Sequence, residues 1–426
     1  MYLARNSSVL LIASATAAGS SFFCLCFALV FFFDIGLCFE AANIRKICYV
    51  CILVERISMY LSRLLLSHFK NIGDASLTFS PGINVLYGDN GEGKTNLLDG
   101  LYYLSVCKSS LGIPDRDVIG YDHQETTLFG EYDMGNAVTE KISCAVNRQG
   151  EKIFKRNGKR YEKLSAHVGL IPVVMVSPQD TSLVFGSGEE RRKYLNFLLS
   201  QTQPDYLQTV LEYKKLLHQR NKLLKSDSIP GDVMDALDNS LSVRARLIYN
   251  QRKELCRLLH PHVIHYYRLL SAGKEEVDLK YDSDLNHGEM ADLLKKNRQK
   301  DRMLQYTGTG IQRDDVQFSL EGHPLKICGS QGQQKTYLLA LKLAQFALIR
   351  QMKELAPILL LDDVFDKLDA RRVSHLLHLV VEDGFGQIFL TDSNKVRIEE
   401  LIHALGGPHT IYSVKGGIFT HEKTKN

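Results

Sequence analysis

The stretch "INVLYGDNGEGKTNLLDGLYYL", residues 83–104, decides the fold. A short apolar run, a glycine-rich turn and a segment with apolar residues at helical spacing read as strand, loop and helix. Inside the turn, "GDNGEGKT", Gly88 to Thr95, matches the phosphate-loop pattern GxxxxGK[ST]. Glycines let successive N–H groups turn inward around phosphates, and the N-terminus of the following helix adds a partial positive charge. Gly88, Asp89, Asn90, Gly91, Glu92, Gly93, Lys94 and Thr95 are therefore the candidate nucleotide-binding residues. In this pattern Lys94 reaches the β- and γ-phosphates and the Thr95 hydroxyl ligates Mg²⁺, so the expected cofactors are ATP and Mg²⁺. Chance would place such a match in about one or two chains per hundred of this length.

A phosphate loop needs a distant acidic residue on a buried strand to hold the metal shell. "PILLLDD", Pro357 to Asp363, reads as a central parallel strand with Asp362 emerging at its end. Asp363 is then placed to orient water or accept its proton. A third stretch, "GSQGQQKT", Gly329 to Thr336, precedes the apolar run "YLLALKLAQFALI". It marks a helix start, and Ser330 suits either a simple cap or an anion site at that helix N-terminus.

The chain has 426 residues, 45% hydrophobic and 23% charged, values of a globular protein long enough for two or three cores. A net charge of +4 permits a nucleic-acid partner without demanding one. Of nine cysteines, Cys24, Cys26, Cys38, Cys48 and Cys51 lie in the first 58 residues and the others are scattered, with no CxxC matched by a second His or Cys pair, so zinc and redox readings are weak. The body reads as reduced and cytoplasmic. Residues 8–33 carry no charge and are long enough to span a bilayer. The leader, 1–58, is either a membrane segment or a mis-assigned or dispensable start, with Met59 opening the first patterned strand.

Along the chain, "YLSRLLLSHFKN", "ASLTFS" and "INVLYG" read as strands before a β-rich stretch. In "EKIFKRNGKRYEKL", Asn157-Gly158 reads as a type I′ hairpin turn. From Glu189 to about Leu270 the pattern is helical, broken at Ser226 to Gly231. Strands return at "EVDLKYD" and "VQFSLEG". The expected domains are a head in two parts, 59–187 and 304–426, with a helical arm at 188–303 inserted between them.

Serine and glycine at a helix N-terminus about 30 residues before the acidic strand is similar to the signature motif of ABC-type ATPases. More specifically, "FKNIGDASLTFSPGINVLYGDNGEGKTNLLDGLYYLS", "SPQDTSLVFGSGEERRKYLNFLL", "TGTGIQRDDVQFSLEG", "GSQGQQKTYLLALKLAQF", "PILLLDDVFDKLDARR" and "GQIFLTD" resemble the RecF family of recombination and gap-repair ATPases, in the ABC/SMC-like superfamily. The likeness runs from about Met59 to Gly417. It implies an α/β fold: an ABC-type P-loop ATPase head, a mixed sheet with flanking helices and a β-rich subdomain, carrying an inserted compact helical arm. It also implies an ATP-dependent homodimer on single-stranded, gapped or junction DNA. The family's work is replication, recombinational repair and SOS induction, with RecO and RecR assisting RecA loading.

By the same resemblance Gln179 in "SPQD" watches the metal and couples head to arm, and Ser330 acts across the dimer on the partner's γ-phosphate with the glutamines of "SQGQQ" as extra donors. Asp366 and Asp369 sit in a loop crossing the interface, and Asn71 lies near the adenine base. Gln312 stands where the family often has histidine. Thr391-Asp392 follows the strand "QIFL" with no switch histidine, which with the short carboxylate of Asp363 implies a weak ATPase used as a switch. A transporter ATPase subunit is disfavoured by that missing histidine and by the arm. Long coiled-coil arms are excluded by the space between Thr95 and Ser330. A nucleotide-dependent scaffold without DNA binding stays open. Two basic stretches are candidate DNA surfaces: Arg148, Lys152, Lys155, Arg156, Lys159, Arg160 and Lys163, and in the arm Arg191, Arg192, Lys193, Lys214, Lys215, Arg220, Lys222 and Lys225.

Overall fold

The run Ile358–Leu361 has no polar side to offer water, so it can be a strand only inside a sheet covered on both faces. The computed structural model bears this out; it describes residues 59–135, 137–226, 231–364, 385–398 and 407–422. The leader at 1–58 and the residues Asp366 and Asp369 lie outside the described residues.

In chain order, β1 (Tyr60–Phe69) and β2 (Ile72–Thr78) form a hairpin, and β3 (Ile83–Tyr87) leads through the glycine loop into α1 (Lys94–Val106). Next come β4 (Glu125–Asp133), β5 (Thr139–Asn147), β6 (Lys152–Arg156) and β7 (Lys159–Arg160). After β8 (Val173–Val176) the chain turns helical, with a short α2 (Ser182–Phe185), then α3 (Gly188–Thr202), α4 (Tyr206–Leu224) and α5 (Gly231–Ser271). β9 (Val277–Asp282), α6 (Met290–Leu304), β10 (Asp315–Leu320), β11 (His323–Pro324) and a short α7 (Leu325–Cys328) precede the long α8 (Gln331–Lys353). The remaining described strands are β12 (Ile358–Leu361), β13 (Ile388–Asp392), β14 (His409–Lys415) and β15 (Ile418–Glu422).

Three sheets result. The central one has the order β15-β14-β3-β13-β12-β8, all parallel except the edge strand β15. An antiparallel sheet has the order β2-β1-β4-β5-β6-β7, and a small one the order β11-β10-β9. The turn at Asn157-Gly158 has positive φ at both residues, 50° and 81°, between the paired Arg156 and Lys159, as a type I′ hairpin requires.

Successive side chains of the central strands enter two different cores, because the side-chain period of a strand is two. Leu359, Leu361, Val174, Val176, Ile388 and Leu390 face one core together with α3, α4, α5 and α8. Ile358, Leu360, Val173, Met175 and Phe389 face the other, shared with α1 and the antiparallel sheet. Helices α1 and α8 thus cover opposite faces of the central sheet.

The helical segment has no core to itself. Tyr206, Leu241, Ile248, Leu255, Leu259 and Tyr267 pack in the same cluster as α8 and β12. Strand β9, inside the segment expected to be the arm, pairs with β10 beyond it, Asp282 opposite Asp315. Helix α5 runs on through Pro261. Among the described residues no helix is long and apolar enough to cross a membrane.

Leu360 is fully buried in the middle of β12, whereas Leu247 on α5 is 51% exposed. Leu360→Ala should lower the unfolding free energy by about 2–5 kcal/mol, and Leu247→Ala by less than about 0.5 kcal/mol. Urea denaturation of both variants checks the placement of β12.

Candidate functional site

Because β3, β13, β12 and β8 run parallel, their carboxyl ends open on one edge of the sheet, where α/β proteins bind ligands. The glycine loop leaves β3 there, with Gly88 N–H donating to Asp392 O at 3.4 Å. A Cβ at Gly88 would lie 2.2 Å from Val414 O, and one at Gly93 3.0 Å from the Asn71 side-chain amide. Gly93 also has φ 113° as the residue capping α1, so both positions exclude a side chain. Lys94 is buried, its Nζ donating to Gly88 O at 2.5 Å and Asp89 O at 2.8 Å, so its ammonium lies within the loop.

Thr95 Oγ1 donates to Asp362 Oδ1 at 2.9 Å, joining the start of α1 to the end of β12. Thr391, at the end of β13, donates to the same oxygen at 2.9 Å and accepts from Asp363 N–H at 2.9 Å. Burial pushes the Asp362 carboxyl above its ordinary value, and the hydroxyls of Thr391 and Thr95 pull it part of the way back. The donors fit Mg²⁺, a hard cation usually held by one or two protein oxygens together with phosphates and water. Among the described residues no cluster of three or more His, Cys, Asp or Glu side chains offers an all-protein cage instead.

Gln179 is exposed on a short turn after β8, leaving the sheet beside Asp362 because Val176 pairs with Leu361. The turn is closed by Asp180, whose Oδ2 accepts from Ser177 N–H at 2.7 Å. Its other oxygen meets Lys342 Nζ of α8 at 2.5 Å, and the same ammonium donates to Met175 O at 2.8 Å. A cleft lined by Ser177, Thr181, Lys335, Leu338, Asp362 and Asp363 lies where this turn, α8 and the end of β12 meet.

Ser330 caps α8 in a capping box: its Oγ accepts from Gln333 N–H at 3.3 Å, and Gln333 Oε1 accepts from Ser330 N–H at 2.6 Å. Two glutamines expected as donors to a second subunit are used within the chain. Gln333 Nε2 donates to Glu275 Oε1 at 2.8 Å, and buried Gln334 donates to Leu325 O at 3.1 Å. Ser330 and Gln331 stay exposed. Asn71 sits in the turn between β1 and β2, and its Oδ1 accepts from Asn96 Nδ2 at 2.8 Å. Gln312 ties helix α4 to the loop before β10, accepting from the Tyr213 hydroxyl and donating to Thr309 O at 2.7 Å.

Glycine loop, helix, acidic strand end and capped second helix on the opposite face define an ATPase head of the ABC/SMC-like class. The family described as the RecF/RecN/SMC N terminal domain matches residues 60–407. The chain belongs to the RecF family. The DNA replication and repair protein RecF of Parabacteroides distasonis is 44% identical over 359 residues, 84% of this chain and 98% of the relative. That of Phocaeicola vulgatus is 39% identical over 367 residues, 86% and 99% of the two chains. Among solved structures, the recombination mediator protein RecF-ATP of the RecFOR pathway matches with a TM-score of 0.78 at 26% identity, over 86% of this chain and 98% of that one. An SmcHead bound to the C-winged helix domain of ScpA shares the fold, with a TM-score of 0.54 at 15% identity over 85% and 97%.

The structure thins both basic candidates. In the arm, Arg191 is held by both oxygens of Asp315 at 2.6 and 2.9 Å, and Arg192 donates to Asp314 O at 2.7 Å. Arg220 is fully buried between Asp238 and Asp301, 2.7 Å from each. In the hairpin stretch, Arg148 donates to the carbonyls of His123, Gly120 and Tyr121, Lys152 pairs with Asp115 and Arg156 with Glu140. Lys155, Lys159, Arg160 and Lys163 stay exposed, as do Lys193, Lys214, Lys215, Lys222 and Lys225. Arg220→Ala should therefore cost about 3–5 kcal/mol of stability by leaving the buried Asp301 carboxylate without this counter-ion, while Asp238 keeps Arg298 at 2.7 Å. A denaturation midpoint equal to that of the unsubstituted chain would return Arg220 to the surface.

Proposed function

We propose that this chain is an ATP-dependent DNA-binding protein of RecF type, a weak ATPase that dimerises on DNA with ATP and acts in replication, gap repair and SOS induction. The observation that carries the reading is the convergence of Lys94, Thr95, Asp362 and Asp363 at the carboxyl edge of the parallel sheet, with the two hydroxyls of Thr95 and Thr391 on one oxygen of Asp362.

In this reading the loop amides and Lys94 bind the β- and γ-phosphates, and Asn71 stands towards the base. Thr95 and Asp362 would hold Mg²⁺, with Gln179 completing its surroundings. When bound, the cation neutralises charge on the phosphate oxygens. Asp363 orients the attacking water or takes its proton. Ser330 and the N-terminus of α8 lie on the face of the sheet opposite α1, exposed, and serve the nucleotide of a second copy, so that binding occurs within a subunit and hydrolysis between two. Asp366 and Asp369 would line the same interface. The cytoplasmic location and the cooperation with RecO, RecR and RecA belong to this reading and rest on the family; the division at 187/188 and 303/304 rests on the helical sequence pattern, with the β9–β10 sheet and one core shared across it.

Exposed lysines on the β6–β7 hairpin and on α4 would meet DNA phosphates, so binding should weaken steeply with salt and show little base preference. Filter binding to gapped DNA tests this: retention should require ATP, fall at least about tenfold between 50 and 200 mM salt, and vanish in Ser330→Arg while that variant still binds ATP. No retention even at low salt would favour a nucleotide-dependent scaffold that does not bind DNA, and ATP-independent retention would contradict the ATP dependence of the reading.

A further inference from the structure

Glu92 is an odd residue to find in a loop built to hold phosphates, since a carboxylate there opposes an anion. Its surroundings explain it. Strands β14 and β15 are joined by Gly416-Gly417, both at positive φ, 55° and 79°, between the paired Lys415 and Ile418. Gly416 N–H donates to the Glu92 carboxylate, and Gly417 N–H donates to Glu92 O at 2.9 Å.

The same hairpin touches the loop at its other end, where Val414 O lies against Gly88. A Cβ on Gly417 would lie 2.3 Å from Asn71 O, so the tip also abuts the turn that lies against Gly93 and bonds Asn96. The phosphate loop is therefore belted by backbone some 320 residues away in sequence, with Glu92 as the buckle.

We propose that Glu92 is a positioning residue: it turns its carboxylate away from the nucleotide and latches the β14–β15 turn onto the phosphate loop, so that nucleotide affinity depends on this hairpin. The effect on affinity rests on the nucleotide-site reading above; the latch itself does not. The turn supplies N–H donors, so a side chain that accepts hydrogen bonds is what position 92 requires. Its negative charge is secondary.

The test uses the full chain in four forms: unsubstituted, Glu92→Ala, Glu92→Gln and Gly417→Ala. Titration with a fluorescent ATP analogue and Mg²⁺ reads affinity, and hydrogen exchange without nucleotide reads the loop. Glu92→Ala should bind about tenfold more weakly, the loss of roughly one hydrogen bond, with faster exchange at residues 88–95 and 416–417. Glu92→Gln, whose amide oxygen still accepts, should recover most of the affinity and the protection. Gly417→Ala, which forces the tip off Asn71, should reproduce the alanine phenotype, and a thermal melt shows whether it folds. Equal or tighter binding by Glu92→Ala, as expected if the carboxylate faced the phosphates, overturns the proposal, as does unchanged exchange at the loop. If no variant binds nucleotide, the unsubstituted chain included, yet Glu92→Ala loosens the loop, the latch stands and the nucleotide reading falls.

Discussion

A single carboxylate oxygen, Asp362 Oδ1, accepts hydrogen bonds from Thr95 and from Thr391 at 2.9 Å each. Much of the fold is arranged to make that possible. Ionised Asp362 is expensive to bury, so its strand must end beside donors and close to where a cation can bind. Parallel neighbours provide this, because β3, β13 and β12 end on the same edge and deliver a helix start, a hydroxyl and the carboxylate together. A strand so placed is covered on both faces, which is why β12 is wholly apolar and why the head has two cores.

In the proposed reading those two cores separate the halves of the chemistry. Helix α1, with the phosphate loop, belongs to one; α8, capped by Ser330, belongs to the other together with the helices of the arm. A specific link joins α8 to the end of β8: Lys342 grips Met175 O in the strand and Asp180 on the turn that carries Gln179. The arm helices pack directly on α8, which gives them a continuous packed route to this turn.

Much of this was legible in the sequence because it is local. The glycine loop, the apolar acidic strand, the Asn157-Gly158 hairpin and the start of α8 each carry their physics within a few residues, and the structure has them where they were expected. What was not legible is pairing over distance. Thr391 reads only as a polar end to a strand, yet it shares Asp362 with Thr95. Arg220 reads as one more basic residue of a helix, but Asp238 and Asp301 enclose it. Gln333 and Gln334 look free for a partner until Glu275 and Leu325 are brought beside them. The tie between Glu92 and Gly416-Gly417 spans most of the chain and leaves no periodic signal. The arm helices show the helical period clearly, but the period cannot tell that they share a core with the head.

The central claim is that each nucleotide site is completed by a second copy of the chain. A mixture of two variants tests it most directly. Lys94→Ala lacks the phosphate-binding ammonium but keeps Ser330, and Ser330→Arg keeps the phosphate loop but loses the capped helix end. In a mixed dimer one site would join the loop of the Ser330→Arg copy to the helix end of the Lys94→Ala copy, both intact. Steady-state ATP hydrolysis should then be near zero for each variant alone and recover, up to about a quarter of the unsubstituted rate, when they are mixed in equal amounts and half the dimers carry one good site of two. A mixture as inactive as its components, with mixed dimers shown to form, would contradict the account.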